Sequence, residues 1–131
     1  MAESIQLEVV TPERLLVRED VQSVEIPGKT GYLGILPGHA ALVAQLGTGV
    51  LGYEADGRRR NLAVSGGFIE VLNGHVRVLA DVAERAEDID LARAKAAWKR
   101  AQENLAKAEA AVDAAAAQVR AAARIAAAER K

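Results

Sequence analysis

Glycine and proline are confined to the first 74 residues of this 131-residue chain. The last proline is Pro37 and the last glycine is Gly74, whereas alanine fills 19 of the 41 positions in residues 91–131. Glycine and proline disfavour the interior of a helix, and alanine has the highest helix propensity. The chain therefore divides into a front part that turns often and a tail that forms helix.

The first ninety residues have the pattern of a β protein. Apolar residues alternate with polar ones, as in half-buried strands, at three places: Ile5-Leu7-Val9, Val24-Ile26 and Val76-Val78-Ala80. Asp56-Gly57 and Asn73-Gly74 favour two-residue hairpin turns, because both central residues must take positive φ. The first turn is predicted to join residues 50–54 to 59–64, and the second to join 68–72 to 75–80. Short strands at this spacing predict an antiparallel sandwich or barrel.

A seven-residue repeat runs through the tail. One position of the repeat is held by Leu91, Trp98, Leu105, Val112 and Val119, and the position three residues later by Ala94, Ala101, Ala108, Ala115 and Ala122. These are coiled-coil positions, and alanine lets two helices approach closely. The repeat fits one helix of about 60 Å lying on a partner, and it equally fits two shorter helices folded together, with Asp113 capping the second. Alanine buries little surface, so a switch between the two arrangements is physically feasible.

Charge is distributed unevenly between front and tail. Residues 1–90 hold 8 basic and 14 acidic side chains, a net charge of −6, and residues 91–131 hold 9 and 4, a net charge of +5. Arg93, Arg100 and Lys107 share one position of the repeat, and Arg120 lies one helical turn before Arg124. This pattern indicates either a solvated helix face or a docking strip for an acidic partner.

No catalytic or metal-binding constellation is present in the sequence. Cysteine is absent, which excludes disulfides and thiolate metal sites, and we interpret His39 and His75 as structural or surface residues. The glycine-containing residues 31–34 and 65–67 lack the spacing and lysine of a phosphate loop, and are predicted to be bends or bulges between strands. The sequence thus predicts a non-catalytic protein that acts by contacting other proteins.

The remaining sequence signals are weaker. Arg58-Arg59-Arg60 follows a hairpin turn without aromatic residues for base stacking, and is interpreted as a solvated loop. No signal peptide and no run of roughly 20 apolar residues is present, which favours a soluble cytoplasmic chain.

Two runs carry a family resemblance, GYLGILPGHA at residues 31–40 and SGGFIEV at residues 65–71. With LEVVTPE at residues 7–13 and the helical tail, they resemble the ε subunits of F-type ATP synthases of bacterial or chloroplast length. The resemblance implies an α+β fold, with an N-terminal antiparallel β-sandwich of about ten short strands in residues 1–86. A C-terminal two-helix hairpin in residues 87–131, which can also extend, is expected to follow.

The same resemblance implies a function and partners. The sandwich would bind the γ subunit and the c-ring of the central rotor, which couples proton flow to ATP synthesis. The extended helices would enter the head of α and β catalytic subunits and restrain ATP hydrolysis, with contacts from Arg120, Arg124, Arg130 and Lys131. No cofactor is required. The expected location is peripheral, on the cytoplasmic face of the cell (inner) membrane, or on the stromal face of the thylakoid in a plastid.

Some bacterial members of this family bind ATP through an Ile/Leu-Asp-x-x-Arg-Ala motif, which residues 89–94 match. The resemblance implies a regulatory ATP site formed by Glu84, Ile89, Asp90, Arg93, Ala94 and Arg100. A second interpretation is that Asp90 caps the helix and pairs with Arg93.

Two alternative functions come from other classes of protein. A stand-alone nucleotide sensor is compatible with the motif at residues 89–94. A nucleic-acid-binding module with a basic helical arm is disfavoured by the acidic front part and the lack of stacking aromatic residues.

Overall fold

The computed structural model describes residues 3–106 and 111–130. Eight strands come first in this part of the chain, and a short 3-10 turn and two helices follow. The strands are β1 Ile5–Val10, β2 Leu15–Val21, β3 Ser23–Gly28, β4 Gly31–Ile35, β5 Leu42–Gln45, β6 Thr48–Ala55, β7 Arg58–Leu72 and β8 His75–Arg85. The 3-10 turn is Ala86–Asp88, and the helices are α1 Leu91–Ala106 and α2 Ala111–Glu129.

The strands form two layers, and the two longest strands, β7 and β8, take part in both. Residues 58–65 of β7 pair with β6, while residues 68–71 pair with β5. The side of β7 that faces the core changes at Gly66 and Gly67: Leu62 and Val64 are buried in the core before them, and Ile69 and Val71 after them. One layer therefore contains β2, β1, β5 and half of each long strand, and the other contains β3, β4, β6 and the remaining halves. This confirms the predicted β-sandwich followed by two helices, and explains why about ten short strands appear as eight.

Both predicted hairpin turns are present. Asp56 and Gly57 have φ of 53° and 74°, and Asn73 and Gly74 have φ of 49° and 77°, so all four residues are left-handed. The alternating residues Ile5, Leu7, Val9, Val24, Ile26, Val76, Val78 and Ala80 are all buried in the core between the two layers. Alternation and turn chemistry thus located β1, β3, β6, β7 and β8 correctly.

Two local predictions were wrong, those for residues 31–34 and 58–60, and a third, for residues 65–67, was right about a bend but wrong about its place between strands. Residues 31–34 lie within β4, and residues 65–67 bend β7 in its middle instead of separating two strands. Gly67 has φ of 120°, and a Cβ there would overlap the carbonyl oxygen of Leu79, so the bend requires glycine. Arg58, Arg59 and Arg60 are exposed, but they begin β7 and do not form a loop.

The two helices pack against each other, and α2 packs on the second layer of the sandwich through contacts with β6 and β7. A small apolar cluster joins these parts: Val50, Ala63, Ile89, Ala94, Ala127 and Ala128. Since each buried methyl or methylene group contributes about 0.8 kcal/mol, a cluster rich in alanine holds the hairpin only modestly.

The predicted repeat is only partly correct in α1, where Leu105 is 37% exposed, and it is wrong in α2. Ala94 and Ala101 are buried, whereas Val119 is 52% exposed. The buried stripe of α2 is Ala114, Ala121 and Ala128, one position earlier in the repeat, because α2 contacts the sandwich as well as α1. The helix begins at Ala111, so Asp113 lies inside it and does not precede it, and Lys107 and Ala108 lie outside the described residues.

Candidate functional site

The start of α1 is fixed by Asp90. Its Oδ1 accepts a hydrogen bond from the backbone N–H of Arg93 at 3.1 Å, which is the geometry of a helix N-cap. The contact is with the backbone of Arg93 and not with its guanidinium, and the Arg93 side chain is exposed. The capping interpretation of Asp90 is confirmed, while the charge pair with Arg93 is absent.

The apolar members of the motif at residues 89–94 serve packing. Ile89 is 3% exposed and Ala94 is fully buried, and both belong to the cluster that joins the hairpin to the sandwich. Arg100 lies further along α1 and is exposed. Of the six residues predicted for a nucleotide site, two are thus buried in packing, one caps the helix and two extend into solvent.

The sixth residue, Glu84, holds α2 to the sandwich. It lies near the end of β8, and its Oε1 is 2.7 Å from Nε of Arg124. Nη2 of Arg124 donates a hydrogen bond to Oε2 at 3.4 Å, whereas the Nε–H is not directed at the carboxylate, so that contact is ionic. The two side chains are 32% and 22% exposed, which places the pair at a partly covered junction. We call this ion pair the Glu84–Arg124 latch.

A cavity of about 320 Å³ lies beside this latch, between the second layer of the sandwich and the hairpin. Its polar lining includes Glu84, Arg120, Arg124 and Ser65, and its apolar lining includes Val82 and Ala97. Asp90, Arg93 and Arg100 do not line it. The structure therefore brings Glu84 together with the two arginines of α2, which the sequence assigned to a different role.

The end of α2 is also attached to the sandwich. Nδ2 of Asn61 in β7 donates to the backbone carbonyl of Arg130 at 3.5 Å, although the two residues are 69 positions apart. Asn61 is only 5% exposed. The side chain of Arg130 is exposed, and Lys131 lies outside the described residues.

The outer face of the first layer carries a row of apolar side chains that the sequence analysis missed. Phe68 pairs with Leu79, Leu79 with Val10 and Val10 with Leu15, so the row crosses β7, β8, β1 and β2. Phe68, Leu79 and Leu15 are 55%, 46% and 44% exposed. The sequence contained one indication of this row: Leu79 is apolar at a position where the alternation of β8 predicts a polar residue. We call these four residues the outer apolar row.

A charged row runs beside the outer apolar row. Glu70 pairs with Arg77, Arg77 with Glu8 and Glu8 with Arg18 across the same four strands. Glu8 forms ion pairs with Arg18 at 3.2 Å and Arg77 at 3.5 Å. The hydrogen bond from Arg18 is the largest cause that lowers the pKa of Glu8 below its ordinary value of 4.5, and the positive charges of both arginines add to it. An exposed apolar strip beside ordered charges is typical of a surface that binds another protein.

The described residues offer no metal site. No group of three His, Asp or Glu side chains among them could hold an ion. His39 and His75 are exposed, and Nδ1 of His39 lies 2.7 Å from the carbonyl oxygen of Ala40. In the same part of the chain, neither helix is long and apolar enough to cross a membrane.

These features define a class of protein: a β-sandwich with an exposed apolar row on one face, to which a helical hairpin is weakly attached. Residues 4–86 match the family model described as ATP synthase, Delta/Epsilon chain, beta-sandwich domain. The ATP synthase epsilon chain of Solibacter usitatus is 54% identical, with all of both chains covered. That of Koribacter versatilis is 49% identical over 80% of this chain and 74% of the relative. The chain belongs to the ATP synthase delta/epsilon family.

Solved structures agree with this assignment. A chain in the cryo-EM structure of the Euglena gracilis mitochondrial ATP synthase, described as OSCP/F1/c-ring, matches with a TM-score of 0.71 and 27% identity. The match covers 93% of this chain and 75% of that one. A chain in the central stalk/c-ring structure of the Tetrahymena thermophila enzyme matches with a TM-score of 0.56 at 13% identity, which shows the fold alone.

Proposed function

We propose that this chain is the epsilon-type rotor subunit of a proton-translocating F-type ATP synthase. The observation that carries the proposal is the full-length relationship to an epsilon chain, which includes the hairpin as well as the sandwich. The subunit is non-catalytic: it is part of the central stalk and couples proton flow to ATP synthesis by binding other subunits. Its partners are the γ subunit, the c-ring and the catalytic α and β subunits.

The two parts of the chain have separate tasks in this proposal. Residues 1–86 bind the γ subunit and the c-ring, and residues 87–131 regulate ATP hydrolysis. The outer apolar row supports the first task, because it lies on the face of the sandwich opposite the hairpin and stays free when the hairpin is docked. Binding to the c-ring places the subunit peripherally at the membrane, on the cytoplasmic face of the cell (inner) membrane in a bacterium.

An assembly experiment tests this role. An F-type ATP synthase stripped of its epsilon subunit is reconstituted with the wild-type chain, with Phe68→Glu and with the matched control Leu105→Glu, whose leucine is exposed on α1. The wild-type and control chains should bind and restore ATP-driven proton pumping. Phe68→Glu should bind at least about tenfold more weakly, because a charge would be buried in the apolar contact. Failure of the wild-type chain to bind would contradict the rotor role. If Phe68→Glu bound as tightly as the wild type, the outer apolar row would be excluded as the binding surface.

The hairpin is proposed to restrain ATP hydrolysis when it leaves the sandwich. Its basic residues Arg120, Arg124, Arg130 and Lys131 would then contact an acidic surface of the catalytic head. Arg124 is paired with Glu84 in the docked hairpin, so extension must first break the Glu84–Arg124 latch. Partly exposed ion pairs contribute about 1 kcal/mol or less, which is small enough for a reversible switch.

Regulatory binding of ATP at Glu84, Ile89, Asp90, Arg93, Ala94 and Arg100 is the second part of this proposal. The motif at residues 89–94 supports it, and of the six residues Glu84 alone lines the neighbouring cavity. We expect weak binding, because Glu84 and Arg124 already neutralise each other and the side chains of Arg93 and Arg100 extend into solvent. Calorimetric titration of the chain with ATP, with Arg93→Ala as the test variant and Arg14→Ala as the control, checks this. Absence of saturable binding would contradict the site.

A further inference from the structure

The charges on the outer face of the first layer alternate in sign from strand to strand. Glu70 on β7, Arg77 on β8, Glu8 on β1 and Arg18 on β2 lie side by side in the pairing register, next to the outer apolar row. We call these four residues the charged row. The order negative, positive, negative, positive becomes its own complement when it is reversed, because every position then meets the opposite sign.

A two-fold axis produces this reversal. A second copy of the chain can lie face to face with the first, related to it by an axis that runs along the strands between β8 and β1. The β7 strand of each copy then lies opposite β2 of the other. Glu70 faces Arg18 of the second copy, and Arg77 faces Glu8 of the second copy, so all eight charges of the two rows oppose the opposite sign.

Other positions of the axis bring like charges together. An axis over β8 puts Glu70 opposite Glu8, and an axis over β1 puts Arg77 opposite Arg18. An axis along the charged row itself puts every charge opposite its own copy. Since like charges in contact across an interface are strongly unfavourable, the alternation selects one arrangement.

The outer apolar row fits the same arrangement. Phe68 faces Leu15 of the second copy, and Leu79 faces Val10 of the second copy. Phe68, Leu79 and Leu15 are each about half exposed in the single chain, so the contact removes their apolar surface from water. Sheets that pack face to face keep their strand directions within about 30° of each other, which an axis along the strands allows.

Glu70 is the member of the charged row that gains most. Among the residues that the structure describes, it forms no ion pair, whereas Glu8 pairs with both Arg18 and Arg77. The side chain of Arg18 is still 63% exposed, so it can accept a second carboxylate. Contact with Arg18 of a second copy therefore gives Glu70 an ionic partner.

We propose that the free chain forms a two-fold dimer through the outer apolar row and the charged row. The four strands span only about 14 Å from first to last, so the contact is smaller than the roughly 800 Å² per partner of a standard interface. We expect a weak dimer with a dissociation constant on the order of 10 µM. The hairpin stays uncovered, because it docks on the other layer.

The dimer would cover the outer apolar row until the chain assembles with its partners. Because the proposed function assigns this row to rotor binding, the dimer and the assembled rotor exclude each other. This competition rests on the proposed function, whereas the dimer does not. The dimer is measured on the isolated chain and rotor binding on the stripped complex, so failure of one proposal is distinguishable from failure of the other.

Sedimentation velocity of the isolated full chain, from about 1 µM to about 300 µM, tests the proposal. The wild-type chain should change from monomer to dimer in this range. Glu70→Arg and Arg18→Glu should each weaken dimerisation at least about tenfold, because each places two pairs of like charges face to face. Glu103→Arg, which makes the same charge reversal at an exposed position of α1, should dimerise like the wild type.

Mixing the variants tests the facing residues. With the Arg18→Glu chain labelled at its N-terminus, the Glu70→Arg chain should bind it at least about tenfold more tightly than the Glu103→Arg chain does. The two unlabelled chains have the same net charge, but only Glu70→Arg places its new arginine opposite the new glutamate. Positions 70 and 18 of one chain lie about 14 Å apart across the sheet, so the recovery must occur between chains.

If Arg18→Glu does not fold by circular dichroism, single cysteines replace the charge exchange, since the chain has no cysteine of its own. Phe68→Cys and Leu15→Cys should form a mixed disulfide faster than either variant forms a disulfide with itself.

Four results would overturn the proposal. The first is a monomer at every concentration, and the second is equal weakening by Glu103→Arg, which would indicate a general charge effect. The third is equal binding of the Glu70→Arg and Glu103→Arg chains to the labelled chain. The fourth, where the cysteine variants are used, is a mixed disulfide that forms no faster than those of the single variants.

Discussion

Glu84 near the end of β8 and Arg124 in α2 form an ion pair, with Nε 2.7 Å from Oε1, across 40 residues of chain. The remaining contacts between hairpin and sandwich are dominated by alanine, together with Val50 and Ile89. Apart from the hydrogen bond that Asn61 donates to the carbonyl of Arg130, the Glu84–Arg124 latch is thus a charged contact in a small and mostly apolar junction. Its loss should shift the hairpin toward release without affecting the core of the sandwich.

Glu84→Gln should increase the undocked fraction of the hairpin. The substitution removes the charge that attracts Arg124, and an ion pair worth up to about 1 kcal/mol corresponds to a change of up to about fivefold in the equilibrium. Hydrogen exchange of backbone amides in the isolated chain measures this change. Compared with the wild type, Glu84→Gln should exchange faster in α2 and at the same rate in β1.

The matched control for this experiment is Glu13→Gln. Glu13 is exposed in the loop between β1 and β2, so its substitution makes the same charge change away from the hairpin. Exchange in α2 should stay at the wild-type rate in Glu13→Gln. Equal acceleration in both variants would mean that net charge, and not the Glu84–Arg124 latch, governs docking.

Asp90→Ala should destabilise α1, and Asp90→Asn should largely preserve it. Alanine removes the acceptor for the Arg93 N–H, a loss worth about 1 kcal/mol, whereas asparagine is also a good N-cap residue. Urea unfolding monitored by circular dichroism measures the difference. If both variants lost the same stability, the negative charge of Asp90 would matter more than its capping hydrogen bond.

The local features of the fold could be predicted from sequence because their causes are local. Asn73-Gly74 formed its hairpin turn and Asp90 capped its helix, and each depends on residues within a few positions. The bend at Gly66 and Gly67 was recognised as irregular, but its position inside a single long strand depends on pairing with β8. The buried stripe of α2 was misplaced at Val119 because the repeat could not reveal a second contact surface, the sandwich.

The candidate sites were less predictable for the same reason. The Glu84–Arg124 latch and the contact between Asn61 and Arg130 join residues 40 and 69 positions apart, and no periodicity marks such pairs. The outer apolar row needs the strand register, since Phe68, Leu79 and Val10 become neighbours only when β7, β8 and β1 are aligned. Arg58, Arg59 and Arg60 form a basic run in the sequence, but only the docked hairpin brings Arg130 to line one cleft with them.

Glu8→Gln should reduce the acid sensitivity of the sandwich. The folded-state pKa of Glu8 is lowered below 4.5, chiefly by the hydrogen bond from Arg18. Its contribution to stability is therefore complete above the unfolded-state pKa and is lost as pH falls through the lower folded-state pKa. The free energy of unfolding of Glu8→Gln should fall less steeply with decreasing pH in this acidic window.

Chemical denaturation at a series of pH values below 6 measures this dependence, with Glu13→Gln as the control. The control should keep the wild-type slope, because Glu13 forms no ion pair with the described residues. An identical slope in wild type and Glu8→Gln would contradict a stabilising role for the paired carboxylate.

The most direct test of the proposed function compares ATP hydrolysis by the assembled complex containing the full chain with that of a complex containing the chain truncated after Asp88. The truncation removes both helices and leaves all eight strands. We expect normal assembly, normal ATP-driven proton pumping and faster hydrolysis in the truncated complex, because the sandwich binds the rotor and the hairpin restrains the enzyme. Unchanged hydrolysis in a fully assembled truncated complex would contradict the regulatory role of the hairpin.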